Sequence, residues 1–339
     1  MKKTVVIFFV LIAQLQVCGQ QSFDELKETA KLFQRQGDYP NAILVFNKAL
    51  EQHPDNLEVK RDIAHTYYLQ RDYAHALETI KPLLGREDAD IVTYQVGGNI
   101  YKALEEVKDC EKMYRTALKK FPASGALYSE FGELLWAKKE SVNAIAAWET
   151  GIRVDPAFPG NYYHAAKYYY AIADKVWSLV YGEIFINAES YSARTSEMKL
   201  LLLESYKKFY TESEVFKQYN TQKKTPFEEA VLNTFRKFQS QAGSGITSES
   251  LTAIRTRFVL DWFTSNAKKF PFKLFDHWQY LVREGMFEAY NQWIFGMAGN
   301  MAAYEIWTQT HDEDNKKFAY YHKNRVFKMP AGQFYGVNR

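Results

Sequence analysis

Seven histidines and two cysteines are the residues of this 339-residue chain best suited to metal ligation or nucleophilic attack. Their spacing supports neither. The histidines are scattered and no HExxH occurs, so no helix offers two imidazoles to one ion. His311-Asp312-Glu313-Asp314 reads as the acidic start of a helix, and the dipole likewise explains Glu228-Glu229 in a helical first turn. Gly243-Ser244-Gly245 lacks the lysine and the preceding strand of a phosphate-cradling loop, and no GxSxG elbow is present. No catalytic residue, metal site or cofactor is therefore expected. A glycan-acting enzyme would need a buried carboxyl in an aromatic cleft, and Glu288 and Glu305 are the carboxylates nominated for that rival role.

Charge narrows the partners. Lys plus Arg number 43 against 40 Asp plus Glu, a formal charge of +3. That balance does not suit nucleic acid. Aromatic content is high at 16%, and hydrophobic residues make up 47%, enough for a large core. Residues 1–19 read as an export signal: Lys2 and Lys3 precede the apolar run Val5 to Ala13, which is too short for a bilayer span. Cleavage after Gly19 would make Gln20 the first residue. Acylation of Cys18 is the alternative, and it would give peripheral membrane attachment. The expected location is the periplasm, or the outer membrane if Cys18 carries lipid.

The elements that must position any binding surface repeat every 34 residues. Ala42, Ala76, Cys110 and Ala144 keep that interval, as do Ala30, Ala64, Gly98, Gly132 and Ala166, and Phe33, Tyr67, Tyr101, Leu135 and Tyr169. Pro54, Pro122 and Pro156 share the phase. Small residues at two fixed places let antiparallel helices cross closely, and the aromatics fill the notches. Gly37-Asp38-Tyr39 reads as a turn between helices. Lys81-Pro82 interrupts one helix, with Gly85 expected to end it early. Cys110 occupies a core position, where a thiol is a small apolar filler.

This pattern resembles the tetratricopeptide repeat, with units at 23–56, 57–90, 91–124 and 125–158. The unit 91–124 fits best, through Tyr94, Gly98, Tyr101, Cys110, Tyr114, Ala117 and Pro122. A partial fifth unit begins with Tyr162, Ala166 and Tyr169, then drifts at Ser178 and Gly182 within a helical extension over 159–238. The resemblance implies an all-α fold: a right-handed superhelix of antiparallel helix pairs, followed here by an aromatic-rich helical module over 249–339. In that module Leu251, Ile254, Phe258 and Trp262 mark one helical face, and upstream of it Thr225-Pro226-Phe227-Glu228 has the form of a capping box. Residues 239–248 read as a linker. The tail from Met329 is either an ordered cap or a frayed end.

The resemblance also implies a concave channel that binds protein segments. Its projected positions are Lys27, Lys31, Gln34 and neighbouring Arg35; Arg61, His65 and Tyr68; Gln95, Asn99 and Lys102; Ser129, Glu133 and Trp136; and Tyr163, Lys167 and Tyr170. Basic and aromatic together, this face suits an acidic or amphipathic segment. A subgroup of the family clamps a C-terminal carboxylate. Lys27 fits that clamp, but Lys31, Asp62 and Val92 replace its other members, so it is not expected here. Tyr163, Lys167 and Tyr170 share one exposed helical face by spacing. The reading that follows is a non-enzymatic, exported scaffold serving envelope assembly or secretion, with a glycan-acting or glycan-binding protein as the alternative.

Overall fold

The computed structural model describes residues 21–172, 175–211 and 224–336; the export signal and Cys18 lie outside them. Every regular element among the described residues is helical. The chain divides into two compact units between Leu104 and Glu105.

The first unit comprises α1 (Phe23–Gln36), α2 (Tyr39–Gln52), α3 (Leu57–Leu69), α4 (Tyr73–Leu84) and α5 (Ile91–Ala103). Each helix starts on a polar side chain that accepts a backbone N–H three residues on: Ser22, Asp38, Asn56, Asp72 and Asp90. These caps satisfy donors that the first turn leaves open. Ala30, Ala42, Ala64 and Ala76 have no exposed surface, which brings the helices of each pair together, and Phe46, Ile63 and Ile80 fill the space between. Pro82 falls in the last turn of α4, which ends at Leu84 with Gly85 as its cap.

The second unit contains further pairs, built from α6 (Val107–Lys120), α7 (Gly125–Ala137), α8 (Ser141–Val154), α9 (Pro159–Ala171) and α10 (Lys175–Ala188). α7 and α8 meet at Gly132, where a methyl group would overlap the indole of Trp148. Trp148 in turn donates its Nε1–H to the Ser129 carbonyl at 3.1 Å. α9 and α10 form a further hairpin, with Ser178 on α10. That residue extends the small-residue ladder to a fifth member and is fully buried. At Gly182 the family aromatic gives way to glycine, and the space is taken by α11 (Ala193–Thr211), whose Leu202 and Met198 lie 3.0 Å from where a Cβ would be. α10 is buried on all sides from Lys175 to Asn187. Its apolar run is therefore a core helix, and no described helix is long and apolar enough to cross a membrane.

The chain goes on through α12 (Pro226–Arg236), α13 (Ser248–Ser265), α14 (Lys273–Arg283), α15 (Phe287–Asn291), a π turn (Gln292–Gly296), α16 (Met297–Gly299), α17 (Met301–Thr310) and α18 (Asp312–Asn324). Thr225 caps α12, its hydroxyl accepting the Glu228 N–H at 3.2 Å. Glu228 is buried and accepts the Trp177 indole N–H at 3.2 Å. Residues 239–244 form a 3-10 helix rather than an open linker. Leu251, Ile254, Phe258 and Trp262 are buried along one face of α13. The tail is ordered: the Tyr335 ring stacks on Phe227 at 4.6 Å and its hydroxyl donates to the Pro271 carbonyl at 2.8 Å.

One ion pair binds α10 to the helices that follow. Glu183 and Arg255 are both fully buried and paired. The Tyr290 hydroxyl donates to Glu183 Oε1 at 2.7 Å and accepts from Asn187 Nδ2 at 2.6 Å, while Arg255 also donates to Asn291. Burial raises the Glu183 carboxyl above its ordinary pKa, opposed by the Arg255 charge. Removing one member of such a pair strands the other charge in the core. Glu183→Gln should cost about 3–5 kcal/mol in urea unfolding; a loss below about 1 kcal/mol would show that the pair is dispensable.

The turns that follow α1, α3, α5 and α7 also recur at intervals of 34 residues. Gly37, Arg71, Glu105 and Lys139 all have positive φ, at 79°, 64°, 58° and 64°. Only the first is glycine, so the other three hold a conformation that L residues adopt at a cost. Lys139→Gly should stabilise the protein by about 1 kcal/mol, read as a rise in urea midpoint; no rise would mean the turn is unstrained.

Candidate functional site

The projected channel residues of the first unit are brought into register by the repeat, and several of them bond to acids of the next helix pair. Lys27 and Lys31 of α1 reach Glu58 at the start of α3 at 2.7 and 2.9 Å, and Lys31 lies 3.8 Å from Asp62. Arg61 repeats the arrangement one step on, 2.8 Å from Asp90 at the cap of α5. Gln34 donates to Thr66 at 2.8 Å. Lys27, then Lys31, hold the Glu58 carboxyl at about 2, well below its ordinary value. His65 stacks on Tyr68 at 6.2 Å, and burial lowers its pKa. Gln95, Asn99 and Lys102 are half-buried along α5, and Arg35 is exposed. Lys27, Lys31 and Arg61 thus face Glu58, Asp62 and Asp90, so these three cations of α1 and α3 are matched within the chain.

The projected residues of the second unit assemble differently. Glu133, Trp136, Lys167 and Tyr163 line a cleft of about 560 Å³ together with Trp148, His164, Tyr168 and Ala171. Trp136 is 45% exposed, which is unusual for so large an apolar ring. It stands 6.1 Å from Trp148 and edge-on to Tyr168 at 6.0 Å. His164 stacks on Trp148 at 5.1 Å and pairs with Glu133 at 3.1 Å. Lys167 lies at the rim, 2.7 Å from Glu197 of α11.

Three projections need correcting. Tyr163 is buried rather than exposed, because Arg194 of α11 lies over its ring at 5.1 Å and its hydroxyl donates to Glu197 at 2.5 Å. Tyr170 lies outside the cleft, with the ammonium groups of Lys208 and Lys175 at 4.5 and 5.0 Å from its ring. Ser129 is buried beneath Trp148.

The spacing of channel positions missed His164 and Tyr168, each one residue beyond a projected position. Both enter the cleft because α9 packs against α8, which sets the His164 ring on Trp148. The aromatic run from Tyr162 to Tyr170, with His164 inside it, was the available signal, but it does not tell which rings face Trp136. The nominated acids Glu288 and Glu305 are both exposed, and Glu288 accepts the Trp307 indole N–H at 2.8 Å; neither is a buried carboxyl in an aromatic cleft.

Residues 34–95 match the family model of the tetratricopeptide repeat. The helix pairs within that stretch thus have the sequence pattern of the tetratricopeptide repeat, a helical scaffold suited to contacts between proteins. No curated protein matches the chain. Among solved structures, a thermophilic tetratricopeptide-repeat protein of Thermus thermophilus is 16% identical, with 55% of this chain and 99% of that one covered at a TM-score of 0.44. Pseudomonas aeruginosa pilF is 15% identical, with 59% and 97% covered and a TM-score of 0.47. MamA of Desulfovibrio magneticus RS-1 is 13% identical, with 45% and 86% covered and a TM-score of 0.38.

The bonds to Glu58 have a pH signature. Its carboxyl sits at about 2 in the folded chain against an ordinary 4.5, so its contribution to stability is present above pH 4.5 and lost as pH falls through about 2. An NMR titration of the Glu58 carboxyl should give a midpoint near 2. A midpoint near 4.5 would show that the lysines do not hold it.

Proposed function

We propose that this chain is a non-enzymatic scaffold that holds an amphipathic segment of a partner protein in the cleft of α7 and α9. The observation that carries this reading is the exposed Trp136 ring beside Trp148 and Tyr168. An apolar side chain of the partner inserts against these rings. The internal pairing of Lys27, Lys31 and Arg61 removes the reason to favour a strongly acidic segment. The near-neutral charge supports a protein partner over nucleic acid.

The proposal extends to location: the protein acts in the cell envelope, exported by residues 1–19 and serving assembly or secretion. Lys2, Lys3 and the short apolar run after them support export, with acylation at Cys18 as the alternative end of that process. Mass spectrometry of the mature N-terminus separates the two.

Large aromatic anchors dominate binding at protein interfaces. Trp136→Ala should weaken capture of the partner in crosslinked pull-downs from intact cells by roughly thirtyfold, the equivalent of about 2 kcal/mol. Arg35→Ala should leave it unchanged. Equal recovery by the wild type and Trp136→Ala would contradict the assignment.

A further inference from the structure

A second cavity, of about 470 Å³, lies between α11 and the π turn. Leu200, Ile294, Met297 and Ala298 make one side of it apolar, Trp293 forms a wall, and the hydroxyl residues Ser190, Ser192, Thr195 and Ser196 line the rest. Leu200 and Met297 are more than half exposed at its mouth, as is Tyr191. Ligand pockets commonly enclose about 300–1,000 Å³.

One charge enters this space. The Lys199 ammonium lies 3.8 Å from the centre of the Trp293 ring. Among the described residues, no acid lines the cavity. Three other cations of this unit are matched with carboxylates, Arg255 with Glu183, Lys167 with Glu197 and Lys237 with Asp261, whereas the Lys199 ammonium lies against an aromatic ring. Burial lowers the Lys199 pKa to about 7. A cation held in a pocket lined by no carboxylate gains most from a ligand that brings its own anion.

We propose that this cavity binds a small amphipathic carboxylate of the fatty-acid kind, with its head on Lys199 and its chain over Leu200, Ile294 and Met297. The titratable groups lining the cavity are Lys199, Tyr191 and Tyr304, and His322 stands behind Trp293 at 4.4 Å. Burial lowers the His322 pKa to about 3, so it adds no charge near neutrality.

Calorimetry with dodecanoate, dodecan-1-ol and acetate on the full chain tests this. At about pH 6.5 dodecanoate should bind at least about tenfold more tightly than the alcohol, as expected for a charge-assisted contact. Acetate, lacking the chain, should not bind measurably. Lys199→Met should reduce dodecanoate to the affinity of the alcohol, and Lys199→Arg should restore the difference. Should Lys199→Met not fold, the wild type decides: dodecanoate affinity should fall above about pH 7 towards that of the alcohol, which stays flat. Equal affinities for acid and alcohol, or no binding of either, would overturn the proposal.

Discussion

Two antiparallel helices approach closely only where one of them lacks bulk, and that constraint organises this molecule. Ala30, Ala42, Ala64 and Ala76 in the first unit, and Ala144, Ala166 and Ser178 in the second, are fully buried where helices cross. Once those notches recur every 34 residues, successive first helices present equivalent positions to one another. Lys27 and Lys31 then meet Glu58, and Arg61 meets Asp90. The surface left for a partner is what such pairing does not consume.

In the second unit that surface is aromatic. Trp136, Trp148, His164 and Tyr168 supply contact area with few rotatable bonds, so ordering a partner against them costs little side-chain entropy. The cleft has a rigid neighbour: α10, buried on every side, is tied to α13 and α15 by Glu183, Arg255 and Tyr290. A recognition surface built on packed helices keeps its geometry better than one built on loops.

Much of the fold was legible because the repeat writes itself into residue size. The ladders through Ala42 and Phe33, and the apolar face of α13, needed no knowledge of distant contacts. The left-handed turns at Arg71, Glu105 and Lys139 were hidden, since none carries the glycine that marks Gly37. So was the pairing of the channel cations, which depends on acids 27 to 31 residues away. Glu183 and Arg255 are 72 residues apart, and no local pattern announces a buried arginine. The spacing rule for channel positions failed at Tyr163 because it counts residues on one helix and takes no account of α11 packing over it.

The central claim is that recognition belongs to the aromatic cleft and not to the lysine-rich face of α1. A photo-crosslinking residue at position 136 and, in a separate protein, at position 31 tests it most directly in intact cells. The account predicts a partner adduct from position 136 and none from position 31. An adduct from position 31 alone would contradict it.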